Sequence, residues 1–168
     1  MPPISKHGIL QETNHIRKML GLDKEKFFDV VSILEFLALH EILEYEICED
    51  SEAMHKGEAF YDPAQKKIII PDTVYNMACD GHGRARFTVT HELGHFFRKH
   101  TVVFGRNNDV EWKAYEDSEW QADVFASYLL APPQLVAQYR NSNDVANTFG
   151  LSNQAAEIAL NNAKKAGY

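Results

Sequence analysis

The stretch "HELGHFFRKH" at residues 91–100 places His91 and His95 four positions apart with Glu92 beside the first. On an α-helix that spacing stacks both imidazoles on one face, about one turn apart, so they can share one divalent ion. A catalytic zinc site keeps three protein ligands and one open position, so a third ligand must come from elsewhere. A His-x-x-Gly-x-x-His extension would supply it locally. Here Arg98 stands where that pattern wants Gly, and His100 falls one position early, which leaves His100 beside the site or on the surface. The carboxylates that follow are Asp109, Glu111, Glu116, Asp117, Glu119 and Asp123, and only Glu119 and Asp123 sit on a strongly amphipathic helix, four residues apart. If Glu119 coordinates the ion, Asp123 lies one turn on and can accept a hydrogen bond from a ligand imidazole, fixing its tautomer. Two imidazoles and a carboxylate favour Zn2+, although Mn and Co accept the same donors.

These residues need rigid supports. "RFTVTHELGHFFRKH" predicts a long helix from about Arg84 to His100, buried by "FTVT" before the motif and "FF" within it. Thr88, Val89 and Thr90 are weak helix formers, so packing must hold it. Paired imidazoles in such a setting are costly without a strong partner, and a cation is one. "SEWQADVFASYLLAPP" predicts a second helix, capped by Asp117 or Ser118 and stopped at Pro132 and Pro133, with Ala122, Phe125, Ala126, Leu129 and Leu130 inward. Another core helix is expected from Lys26 to about Leu43, where Phe27, Val30, Val31, Leu34, Leu37 and Ala38 recur at helical spacing.

"YEICE", "GEAFYD" and "KKIIIP" read as short strands, with "DPAQ" turning a hairpin at Asp62–Gln65. "PDTVYNMA" follows as a short helix, and "DVANTFGLSNQAAEIALNNA" as two helices about Gly150, the second capped by Ser152. The fold class expected is α+β: one mainly helical domain over residues 26–168, its antiparallel sheet of about three strands packed on the motif helix. Residues 1–25 read as a loose arm with one short helix around His15–Leu20.

A chain of 168 residues with 45% hydrophobic content can bury one core, and no run approaches the roughly 20 apolar residues of a membrane span. The start, "MPPISKHGIL", has no basic stretch followed by an apolar block, so a cytoplasmic location is expected. Cys48 and Cys79 form no CxxC pair, and "CDGH" offers Cys79 and His82 as a weaker metal pair. A net charge of −7 argues against a nucleic-acid surface. "VANTFGLSNQAAEIAL" has helix-turn-helix character, but its second helix carries no Arg or Lys before Lys164. The expected partner is protein or peptide.

"RARFTVTHELGHFF" and "EWQADVFASYLLAP" together resemble the ImmA/IrrE-type zinc metallopeptidases, a group within the thermolysin-like gluzincins; "YDPAQKKIIIP" resembles the family's hairpin and "VANTFGLSNQAAEIAL" its C-terminal segment. The resemblance covers about residues 28–160. It implies His91, His95 and Glu119 as zinc ligands and Glu92 as general base; Asp123, His100 and Tyr128 are, from position and chemistry, the candidates for groups around the ligands. Gln121 stands where members commonly have Glu, and Ala131 where they have Met. Candidates for steadying the oxyanion are Tyr128, Tyr61, His82 and His100. The activity implied is zinc-dependent cleavage of a helix-turn-helix repressor, linked in the family to stress responses and mobile elements; the alternative is a non-cleaving module of the same fold acting on a repressor or a toxin–antitoxin partner.

Overall fold

The computed structural model describes residues 4–50, 58–99 and 118–168 of the chain. Among these residues there are eight helices and a three-stranded sheet, on which α2, α3 and α4 pack. The first helix, α1 (Lys6–Met19), is longer than the short helix expected in the N-terminal arm and is firmly packed. Ser5 caps it by accepting from the Gly8 N–H at 3.1 Å, and Ile9, Leu10, Thr13, Ile16 and Arg17 turn inward. Thr13 and Arg17 disguise that stripe in the sequence, because a charged residue ordinarily marks the solvent face. Arg17 is buried because its guanidinium donates to the backbone carbonyls of Leu129 (2.6 Å), Leu22 (2.6 Å) and Glu25.

Helix α2 (Val30–Leu39) is shorter than the expected Lys26–Leu43 span. Asp29 starts it by accepting from the Val31 N–H at 2.9 Å, and Glu41, at φ 56°, turns the chain out after it. Strand β1 (Glu44–Cys48) follows, then β2 (Phe60–Asp62) and β3 (Lys67–Pro71), in the spatial order β1-β3-β2. The sheet is mixed rather than antiparallel: β2 and β3 form the expected hairpin, but β1 joins the far edge of β3 in parallel, Glu44 opposite Lys67. Asp62 builds the hairpin turn, accepting from the Ala64 N–H at 2.8 Å. Lys67 then reaches across to Glu46 at 3.1 Å. Strand composition carries no mark of direction, and only the hairpin has a local turn to fix it.

Helix α3 (Asp72–Cys79) leads to α4 (Gly83–Phe97), which carries the motif; Lys99, at φ 52°, ends it, and His100 lies outside the described residues. Helix α5 (Ser118–Leu130) is the main partner of α4. Asp117, one of its expected caps, and the alternative carboxylates Asp109, Glu111 and Glu116 also lie outside the described residues. Gly94 sets how closely the two helices approach, since a Cβ there would stand 3.1 Å from the Phe125 ring and 3.2 Å from the Ala122 Cα. Gly94→Ala is therefore expected to lower stability by about 1–3 kcal/mol through overpacking, read as a lower urea midpoint.

The chain closes with α6 (Pro133–Val136), α7 (Ser142–Phe149) and α8 (Asn153–Lys165), which build a second apolar cluster around Val136, Val145, Phe149 and Leu160. Gly150, at φ 62°, ends α7 in the left-handed conformation, and a Cβ there would strike Arg86 and the Phe27 ring. Among the described residues no helix is long and apolar enough to cross a membrane.

Candidate metal centre

Helices α4 and α5 bring four of the residues singled out from sequence into one cluster. The Nε2 atoms of His91 and His95 lie 3.0 Å apart. His91 Nε2 is 3.2 Å from one Glu119 carboxylate oxygen, and His95 Nε2 is 3.4 Å from the other. A tetrahedral zinc with bonds of about 2.0–2.1 Å separates its donor atoms by about 3.3 Å. Two imidazole nitrogens and a carboxylate at these separations fit such an ion in both chemistry and size. Asp123, one turn beyond Glu119, meets His91 Nδ1 at 2.9 Å. That contact orients the ring with Nε2 facing the cluster.

Glu92 lies on the buried side of α4, with 8% of its surface exposed. One of its carboxylate oxygens accepts the Tyr61 backbone N–H at 2.8 Å, which ties the helix to strand β2. His91, Glu92 and His95 offer ligand atoms within 4.8 Å of one another, so Glu92 is close enough to reach an ion. Glu119 could serve as the third donor, since its two oxygens face the two Nε2 atoms, while one oxygen of Glu92 already accepts the Tyr61 N–H. A cleft of about 470 Å³ opens over the cluster, with Phe60, Tyr61, Phe87 and Thr88 in its wall.

Each charge in the cluster acts on its neighbours. Burial opposes charge on His91, yet the hydrogen bonds it donates to Asp123 and Glu119 outweigh it and raise the imidazole to about 10. The same imidazoles, His91 first, hold the Glu119 carboxyl well below the usual carboxylate range. Burial pushes Glu92 up to about 7, against the opposing pull of the two histidines and the Tyr61 N–H.

With its imidazole raised to about 10, His91 favours a proton over a bare Nε2 across neutral pH. Metal must displace that proton, so affinity should rise about tenfold per pH unit between pH 6.5 and 8.5, with close to one proton released per ion. Titration calorimetry in buffers of different ionisation enthalpy reads this directly; affinity independent of pH would show His91 already neutral. Asp123→Asn should weaken zinc binding about 10–100-fold without unfolding the chain, measured by competition with a chromogenic chelator.

The other candidates separate. Tyr128 is buried in the main apolar cluster, where burial raises its hydroxyl pKa, and it is not among the described residues lining the cleft. Its side chain packs with the other inward residues of α5, Phe125 and Leu129 among them. His82 is the residue before α4, nine positions ahead of His91 and so roughly 13 Å along the axis, too far to reach the same atoms. Cys79 and His82 join no group of three metal-binding side chains among the described residues. Tyr61 does line the cleft, and its part is played by a backbone N–H, which no side-chain pattern advertises.

A family model described as the IrrE N-terminal-like domain, a peptidase family, matches residues 46–161. The chain belongs to this family. The match runs from β1 into α8 and includes every residue of the cluster, so a metallopeptidase-like fold carries a set of side chains able to hold a metal. No curated protein matches the chain. Helices α1 and α2 precede the family segment, yet α1 is fastened to it: Arg98 donates to Glu12 on α1 at 2.7 Å and to Gln121 on α5 at 3.0 Å.

Proposed function

We propose that this chain is a zinc-dependent endopeptidase that cuts one specific protein, a helix-turn-helix repressor. The observation that supports it most is the convergence of His91, His95 and Glu119 with a separate, buried carboxylate, Glu92, beside them. A zinc ion held there supplies Lewis acidity, polarising the scissile carbonyl and making water easier to deprotonate. The chain's own residues do the rest. Glu92 takes a proton from the attacking water as the new C–O bond forms, then passes it to the amine as the C–N bond breaks. Its pKa, pushed up to about 7, suits a group that must both accept and return a proton near neutrality. The Tyr61 N–H fixes the direction in which its carboxylate points. The substrate backbone lies along the short β2 edge that forms one wall of the cleft.

Net charge −7, and an α8 with no cation before Lys164, favour a protein partner over nucleic acid. The test is to mix the zinc-loaded chain with repressors encoded beside its gene and weigh the products. Two fragments that vanish with a chelator and return with zinc are expected. A repressor that binds the chain and stays whole in zinc would replace the peptidase with the non-cleaving module.

A further inference from the structure

A second depression of about 410 Å³ lies between α4, α5 and α8. Phe87, Trp120 and Val124 line it, with Ile158 on the α8 side. Ile158 is 50% exposed, although it is a large apolar side chain on an otherwise polar helix face. Arg84 and Lys6 are also in the lining, on a chain whose net charge is −7. Lys6 reaches Asn162 at 3.4 Å, while Arg84 is exposed and has no hydrogen-bond or ion-pair partner among the described residues. Phe87 and Asp123 line both this groove and the cleft over the metal cluster, so the two adjoin across a shared wall. Phe87 precedes His91 by four residues, about 6 Å along the helix. An extended chain advances about 3.3 Å per residue, which places the groove two or three residues from a bond held at the cluster.

We propose that the groove seats the substrate segment flanking the cut: one or two large apolar side chains, Leu, Met or Phe, pack against Phe87, Trp120 and Ile158, and a neighbouring acidic residue pairs with Arg84. This rests on the peptidase reading for its substrate but not for its binding chemistry. Adjacency to the cleft, and a cation with no ion-pair partner among the described residues, select an acidic-flanked apolar peptide over other occupants.

The binding test uses Trp112→Phe as background, leaving Trp120 as the sole tryptophan, with acetyl-Glu-Leu-Phe-Leu-Glu-amide and acetyl-Lys-Ser-Ala-Ser-Lys-amide as probes. The first should shift Trp120 emission saturably and the second should not. Arg84→Glu should weaken the first at least tenfold, Ile158→Glu should abolish it, and Arg84→Lys should retain it, all with zinc content unchanged. Cleavage of a synthetic peptide library by the zinc-loaded parent should show large apolar residues enriched within three positions of the cut with Asp or Glu beside them, and Arg84→Glu should erase the acidic preference. Binding without cleavage removes the peptidase reading and leaves the groove standing. Cleavage with neither preference nor Trp120 response overturns the groove, as does an Arg84→Glu effect on sedimentation of the chain alone, which would assign this face to a second copy.

Discussion

Glu92→Gln is expected to hold zinc as tightly as the parent and to slow cleavage of the partner protein by about 10²–10⁴-fold, the usual contribution of a positioned general base. Gln has nearly the same shape and keeps an oxygen that can accept the Tyr61 N–H, so the link from α4 to β2 survives. What disappears is the basicity that burial tunes to about 7. The substitution also removes the cost of burying a charge, so thermal stability should hold or rise. Glu119→Gln is the contrasting variant. It keeps two heavy atoms in place near His91 and His95 but removes the negative charge that faces them, so zinc content itself should fall. Metal analysis and quantitative product mass spectrometry on both variants separate proton transfer from ligation. A Glu92→Gln protein that cuts at the parental rate would end the assignment of Glu92 as base.

The parts of the site visible in sequence are those whose geometry follows from helical periodicity. His91 with His95 and Glu119 with Asp123 are both four-residue pairs on helices, and each pair shares one helix face. Their meeting across α4 and α5 was signalled only by the apolar stripes that had to pack. Gly94, which sets the approach of the two helices, sits inside the motif and reads in isolation as a weak point in the helix. Less was legible where the backbone is the partner. The Tyr61 N–H that fixes Glu92 and the parallel pairing of β1 with β3 leave no pattern of side-chain types, and the inward stripe of α1 is broken by Thr13 and Arg17. Arg17 and Arg86 mislead most. A guanidinium predicts solvent, and both are about 1% exposed because carbonyls at helix ends or loops converge on them.

Arg86→Met should be among the most destabilising single changes in the chain. Arg86 lies on α4, five residues before His91, and its guanidinium donates to the carbonyls of Phe149 (2.6 Å), Gly150 and Phe28 (2.9 Å) while stacking over Phe27 with 4.2 Å to the ring centroid. Two of those carbonyls close α7, where helix geometry leaves oxygens without intrahelical donors. Met fills much of the same volume and donates nothing. Two effects oppose each other: burial pulls the Arg86 pKa down to about 10, a sign that its charge is costly to desolvate, and Met removes that cost. Against it stand three carbonyls losing charged donors at about 1.5–3 kcal/mol each, and the lost hydrogen bonds outweigh one relieved desolvation. A net loss of about 3 kcal/mol is expected, a fall of about 1.5 M in the urea midpoint at a slope near 2 kcal/mol/M. Arg86→Lys should recover part of it, since an ammonium can reach one or two of the three oxygens but not all of them in one plane. An Arg86→Met protein with an unchanged midpoint would mean that the desolvation cost cancels the clamp, and that α7 and α8 are held against α4 by apolar packing alone.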